Sequence, residues 1–205
     1  MESTYSFPRL GMNQRCGWSV ATLALFAIVC VSPLGMFVSD TQASPCINLV
    51  GQMERGEESF AFISPPGFQI RMLPYVTSSG VAITGFPSVV NAGQTEGWGE
   101  GIYLSSISLA FDFGSLECVY LRFRYTGGAW YLNVNGQGRS FGSPQEMDGS
   151  TLGGVRLHIY PTSQSSQGYL VLSGKMGRFV DPYGNWTSLI IGGQQLAVSD
   201  LCAGR

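Results

Sequence analysis

The sequence predicts an all-β domain, an antiparallel β-sandwich of jelly-roll type, behind an N-terminal apolar leader. Three observations carry this. Period-two alternation of apolar and polar residues dominates from residue 67 onward, the pattern of strands with one face in a core and the other in water. Gly-, Asn- and Pro-rich turn signals punctuate the alternation at regular spacing, as a sandwich of about ten short strands requires. The part after the leader is rich in Gly, Ser and aromatic residues and poor in charge, with Lys175 its only lysine, which is a strand-and-turn composition.

The leader comes first. An apolar run from Gly17 to Val38 follows Arg9 and Arg15 and gives way to the small, polar stretch Ser39 to Ser44. These are the three parts of a secretion signal, with Thr41-Gln-Ala43 the best cleavage candidate over residues 1–43. The alternative is an uncleaved membrane anchor, since twenty-two residues at helical rise span roughly 30 Å of hydrocarbon. Ser32, Pro33 and Gly35 weaken the last third of that segment as a helix. Lipidation is disfavoured because Val29 and Pro45, rather than small residues, precede Cys30 and Cys46. The expected destination is secreted or cell-envelope, the alternative a tethered domain outside the membrane.

Residues 44–205 have the length of one domain with a substantial core. A formal net charge of -2 with no cluster of Lys or Arg argues against a nucleic-acid partner. Within this part, Cys46, Cys118 and Cys202 allow three choices of one disulfide in an oxidising compartment. Cys46 and Cys202 stand at the two ends of the domain, and closing so long a loop stabilises by about 5 kcal/mol in the chain-entropy picture. That pairing leaves Cys118 as a lone buried thiol. No CxxC or CxxH spacing exists and His158 is the only histidine, so a zinc site has little to build on.

The strands follow in order. Cys46 to Val50, Gly67 to Leu73 and Val81 to Thr84 are short candidates separated by Pro65-Pro66 and by Ser78 to Gly80. Ile107, Leu109, Phe111 and Phe113 alternate with Ser106, Ser108, Ala110 and Asp112. Val119 to Tyr125 and Trp130 to Val134 flank Gly127-Gly128 and read as a hairpin. Asn135-Gly136 marks a type I′ turn, because both residues tolerate positive φ, and a strand at Arg139 to Phe141 follows. Val155 to Tyr160 and Tyr169 to Ser173 form a second hairpin across Pro161 to Gln167. Asp181 to Asn185 is a turn cluster between strands at Arg178 to Val180 and Trp186 to Ile191, and a last strand runs from Gln195 to Leu201. No segment after the leader reads as a helix; Gly51 and Gly56 spoil the nearest, Gly51 to Glu58.

The blocks VNGQGRSFGSPQEMDGSTLGGV (Val134 to Val155), GYLVLSGKMGRF (Gly168 to Phe179) and SLIIGGQQLAVSDLC (Ser188 to Cys202), in that order, resemble a family of exported bacterial proteins of unknown function. The resemblance covers Cys46 to Cys202 and implies export and a Cys-bracketed β-sandwich, with no activity to carry over. Asn48 stands where such proteins commonly have an acid, and Ser199-Asp200 where they often have paired acids. A structural calcium between first and last strands is thereby weakened. Calcium remains the one cofactor suggested, with Glu96, Glu100 and Asp200 as candidate ligands.

Three function classes remain. For binding, the alternations aim Tyr120, Arg122, Arg124, Tyr131, Asn133, Arg156, His158 and Tyr160 outward together, a set of rings and planar polar groups suited to an extracellular glycan. The same residues are what an ordinary solvent-facing sheet carries. Trp98, between Glu96 and Glu100 in the loop QTEGWGEG, is a further candidate contact; its ring either stands exposed there or caps the core. For catalysis, the same two carboxylates or Glu146 and Asp148 could flank a glycosidic bond, while no GxSxG exists to build a nucleophile elbow. The third class is a structural protein of envelope or matrix, assembling through its sheet edges. The expectation is a non-catalytic carbohydrate-binding or cell-surface module.

Overall fold

The computed structural model describes residues 46–50, 53–54, 61–62, 68–77, 79–83, 85–91, 100–162 and 166–204. In chain order the elements are β1 (Cys46–Asn48), β2 (Met53–Glu54), β3 (Ala61–Phe62), β4 (Gln69–Val76), β5 (Ala82–Ile83), β6 (Phe86–Asn91), β7 (Glu100–Ser105), β8 (Ile107–Asp112), β9 (Leu116–Val134), β10 (Gln137–Phe141), α1 (Pro144–Met147), β11 (Thr151–Leu152), β12 (Val155–Pro161), β13 (Gln167–Met176), β14 (Phe179–Val180), β15 (Trp186–Thr187) and β16 (Leu189–Gly204). The leader lies outside the described residues. The expected all-β fold is present: twelve strands form one antiparallel sheet along the path β11-β12-β13-β9-β16-β8-β4-β5. β1 and β7 also pair with β16, β6 with β7 and β10 with β9.

The sheet curls into a sandwich-like form because its two longest strands belong to both halves. The first half of β9 pairs with β13, and its second half with β10. Its partner β16 runs beside it for its whole length, with β8 on its other side from Leu189 to Gly193 and β7 from Leu196 to Val198. One core lies inside the curl. Leu121, Leu157 and Leu170 from one half join Leu109, Phe111, Leu132 and Ile191 from the other in a single buried cluster, and each such side chain contributes about 1.5–3 kcal/mol by leaving water.

This corrects two strand boundaries. Gly127-Gly128 does not reverse the chain, and the Gly192-Gly193 stretch does not end a strand. At that level β9 takes five steps, Trp130 to Tyr125, against three on β16, Gly193 to Leu196. The surplus is a bulge with Gly127 at φ 147° and Gly128 at φ 77°, and bulges bend strands where sheets turn corners. The bulge also switches parity. Inward residues are Val119, Leu121 and Phe123 before it and Trp130, Leu132 and Val134 after it. Phe123 and Trp130 pack edge to face across the corner, with ring centroids 4.9 Å apart. Tyr125 packs against the core at the bend, its hydroxyl 2.8 Å from the carbonyls of Gly128 and Gly142.

The Asn135-Gly136 turn is as expected, with φ 51° and 80°, and the β12–β13 hairpin pairs from Arg156 opposite Ser173 to Pro161 opposite Gly168. A short helix was missed. Ser143 caps α1 by accepting from the Glu146 N–H, while Glu146 reaches back to the Gly142 N–H at 2.8 Å. The S-x-x-E start signature is readable in Ser143-Pro-Gln-Glu146, but the segment is too short to show helical periodicity.

Cys46 and Cys202 stand directly opposite in the β1–β16 ladder and form a disulfide. Cys118 is buried on β9 and makes an interaction of its own, so it is not the isolated thiol expected.

The corner generates a stability test. A Cβ on Gly128 would lie 2.8 Å from the Gln194 Cβ, whereas one on Gly114, at φ 75°, meets open space. Gly114→Ala is expected to cost about 1 kcal/mol from positive φ alone and Gly128→Ala about 2–3 kcal/mol. Equal shifts of the two urea midpoints would contradict the role assigned to the corner.

Candidate functional site

Register places most of the expected binding face. On β9, β13 and β12 the residues between the core positions point away from the core, and strand pairing lines them up in rows. Tyr160 stands opposite Tyr169, and Tyr169 opposite Arg122. In the next row His158 faces Val171 and Val171 faces Tyr120; in the third, Arg156 faces Ser173 and Ser173 faces Cys118. Arg124 extends the face at one end, opposite Gln167. Neighbours in a row are about 4.8 Å apart and rows about 6.7 Å apart.

Local contacts hold these side chains. Tyr160 is 56% exposed, and its ring lies 6.3 Å from that of His158. Asp148, just after α1, brings Oδ1 within 3.8 Å of His158 Nδ1 and accepts the Ile159 N–H at 3.0 Å. Arg122 Nη1 is 3.7 Å from Asp200 Oδ2, which also accepts from Ser199 Oγ at 3.1 Å. Burial, and then the nearby Tyr160, push the Tyr120 hydroxyl above its ordinary value, so it remains a neutral hydrogen-bonding group. Tyr120, Arg122 and Arg124 make further contacts as well. The face can offer rings, a guanidinium and an imidazole to a polyhydroxylated ligand. Sequence reasoning missed Tyr169, though its place in the Tyr169-Leu-Val-Leu-Ser173 alternation pointed to it.

Other candidates are placed elsewhere. Tyr131 and Asn133 lie beyond the corner, between β10 and the first half of β16, so they do not share this face. There the Asn133 side chain, buried, donates to the Tyr131 hydroxyl at 3.3 Å. Glu96 and Trp98 lie outside the described residues; Glu100 opens β7, opposite Asn91. Asp200 pairs with Asn48 in the β1–β16 ladder. Among the described residues no group of three or more His, Cys, Asp or Glu side chains is placed to hold a metal.

The turn expected between strands at Arg178 to Val180 and Trp186 to Ile191 carries a second surface. In the β14–β15 hairpin Phe179 pairs with Thr187 and Val180 with Trp186. Thr187 faces inward, its hydroxyl donating to the Phe111 carbonyl at 3.0 Å, which turns Val180 and Trp186 outward. The Asp181 side chain is fully buried and accepts from Arg71 Nη1 at 2.8 Å and from the Tyr183 and Asn185 N–H groups at 2.9 Å. Arg71 Nη2 also donates to the Trp186 carbonyl at 2.6 Å. One carboxylate thus fixes both the turn and its seat on β4.

The clasp is pH-dependent. Burial alone would raise the Asp181 carboxyl, but the Asn185 N–H, Arg71 and the Tyr183 N–H together outweigh it and hold the group below its ordinary value. A depressed carboxyl stabilises fully above its unfolded value of about 3.9 and loses that contribution as pH falls through the folded value. The melting temperature of Asp181→Asn is therefore expected to lie well below wild type at neutral pH, with the gap closing below about pH 4. A gap of constant size across that range would refute the clasp.

Compared with family models, curated proteins and solved structures, the chain matches none, so the resemblance to an exported bacterial family gains no support there.

Proposed function

We propose that this is a non-catalytic extracellular carbohydrate-binding or cell-surface module whose ligand lies along the β12 side of the outer face, where Arg156 and Tyr160 are exposed. The observation that carries the reading is the row arrangement itself: Tyr160 and Tyr169 stand side by side, with His158 and Arg156 at successive outward positions of β12. Aromatic rings stack on the C–H faces of sugars, and flanking Arg and His side chains bond hydroxyls. Strands hold these groups without ligand, so little ordering entropy opposes binding. Export fits the same reading. The Cys46–Cys202 disulfide suits an oxidising compartment, and the leader supplies the route.

The test is retention of the full chain on a panel of soluble and insoluble polysaccharides, with and without calcium. Tyr160→Ala is expected to weaken retention by roughly tenfold, about 1.4 kcal/mol, without lowering the melting temperature, because Tyr160 supports no core contact. Absence of retention on every polysaccharide in both conditions would sink the proposal.

A further inference from the structure

The β14–β15 hairpin has the makings of a binding element in its own right. Half of the large apolar side chains exposed among the described residues, Val180 at 55%, Tyr183 at 52% and Trp186 at 57%, fall within this one short hairpin. Three rings or branched chains standing in water at one place carry a hydration cost that a purely structural turn does not need. The turn is also held rigid from beneath. The Asp181 carboxylate, Arg71 and the Asp181–Asn185 and Gly184–Asp181 backbone bonds, at 2.8 and 3.0 Å, fix the backbone on which the two rings stand.

Charge decides what kind of partner fits. From Pro182 to Ser199 the chain has no charged residue, and the one carboxylate at the turn is buried against Arg71. The neighbouring cation, Arg178, is bonded to Asp112 at 2.8 Å. The tip therefore offers ring faces, an amide and backbone polar groups, and no formal charge. Its complement is an uncharged surface that alternates C–H patches with hydroxyls.

We propose that this hairpin is a stacking platform for a neutral polysaccharide, with Trp186 and Tyr183 taking sugar faces and the exposed amide of Asn185 bonding hydroxyls. The inference rests on the carbohydrate reading above and adds a second surface, chemically distinct from the Arg- and His-bearing sheet face. Binding here does not depend on ionic strength, because no ion pair forms.

The experiment measures retention of the full chain and of Trp186→Ala, Tyr183→Ala and Tyr160→Ala on cellulose, chitin and β-1,3-glucan, at low and high salt. Flotation with phosphatidylcholine vesicles runs in parallel. Trp186→Ala is expected to lose roughly tenfold or more in retention on at least one neutral polysaccharide, at either salt level, with its melting temperature unchanged. Retention that falls with Tyr160→Ala but not with Trp186→Ala or Tyr183→Ala overturns the platform and leaves the sheet-face reading standing. Vesicle binding that needs Trp186, without polysaccharide retention, assigns the hairpin to a membrane surface and overturns it too. No retention of the wild-type chain on any polysaccharide removes both readings together.

Discussion

Three adjacent strands must turn at the same level, and the rest of the domain depends on that corner. β9 turns through Gly127 and Gly128, β16 through Gly193 to Gln195, and the β7–β8 segment through Ser106 at φ 57°, whose N–H donates to the Gly193 carbonyl at 2.9 Å. A flat sheet of this many strands would leave one apolar face in water. The corner folds that face onto itself, so that leucines and aromatics from both halves meet. The bend itself is held by polar contacts rather than by packing alone. The Tyr75 hydroxyl bonds the Ala129 carbonyl at 3.2 Å, and Thr126 Oγ1 bonds the Gln195 carbonyl at 3.3 Å.

The corner also sorts the candidate residues. By changing which residues of β9 face inward, it keeps Tyr120, Arg122 and Arg124 on the outer face with the β12 and β13 side chains. Tyr131 and Asn133 are moved onto the other half, beneath β10. It likewise sends β16 past β8, where Thr187 and Ser188, both buried, tie the preceding hairpin to the Phe111 carbonyl. The position of the Trp186 hairpin and the composition of the sheet face thus follow from one geometric requirement. Each surface thus rests on strands that the corner fixes in place.

Much of this was legible in the residues, for reasons that can be stated. The Ile107 to Phe113 alternation specifies a strand because a one-residue slip would turn four large apolar chains away from the main core cluster. Asn135-Gly136 specifies a turn because few dipeptides accept two positive φ values in succession. Cys46 opposite Cys202 was legible from their places at the two ends of the domain. Gly127-Gly128 was not, since a pair of glycines serves a reversal and a bulge equally well. What decides between them is a partner, β16, lying some sixty residues further along the chain. Trp186 escaped for a related reason: in a two-residue strand no alternation exists to say which side is buried, and only the inward turn of Thr187 settles it.

The central claim is that β9 is one bent strand paired with β16 on both sides of Gly127-Gly128. Cross-strand backbone contacts measured by NMR test it most directly. The account predicts proximity of Leu121 to Leu201 and of Leu132 to Ile191 in the same folded protein, as the ladder requires. Contacts that instead pair Val119 to Tyr125 with Trp130 to Val134 across a Gly-Gly reversal would contradict it.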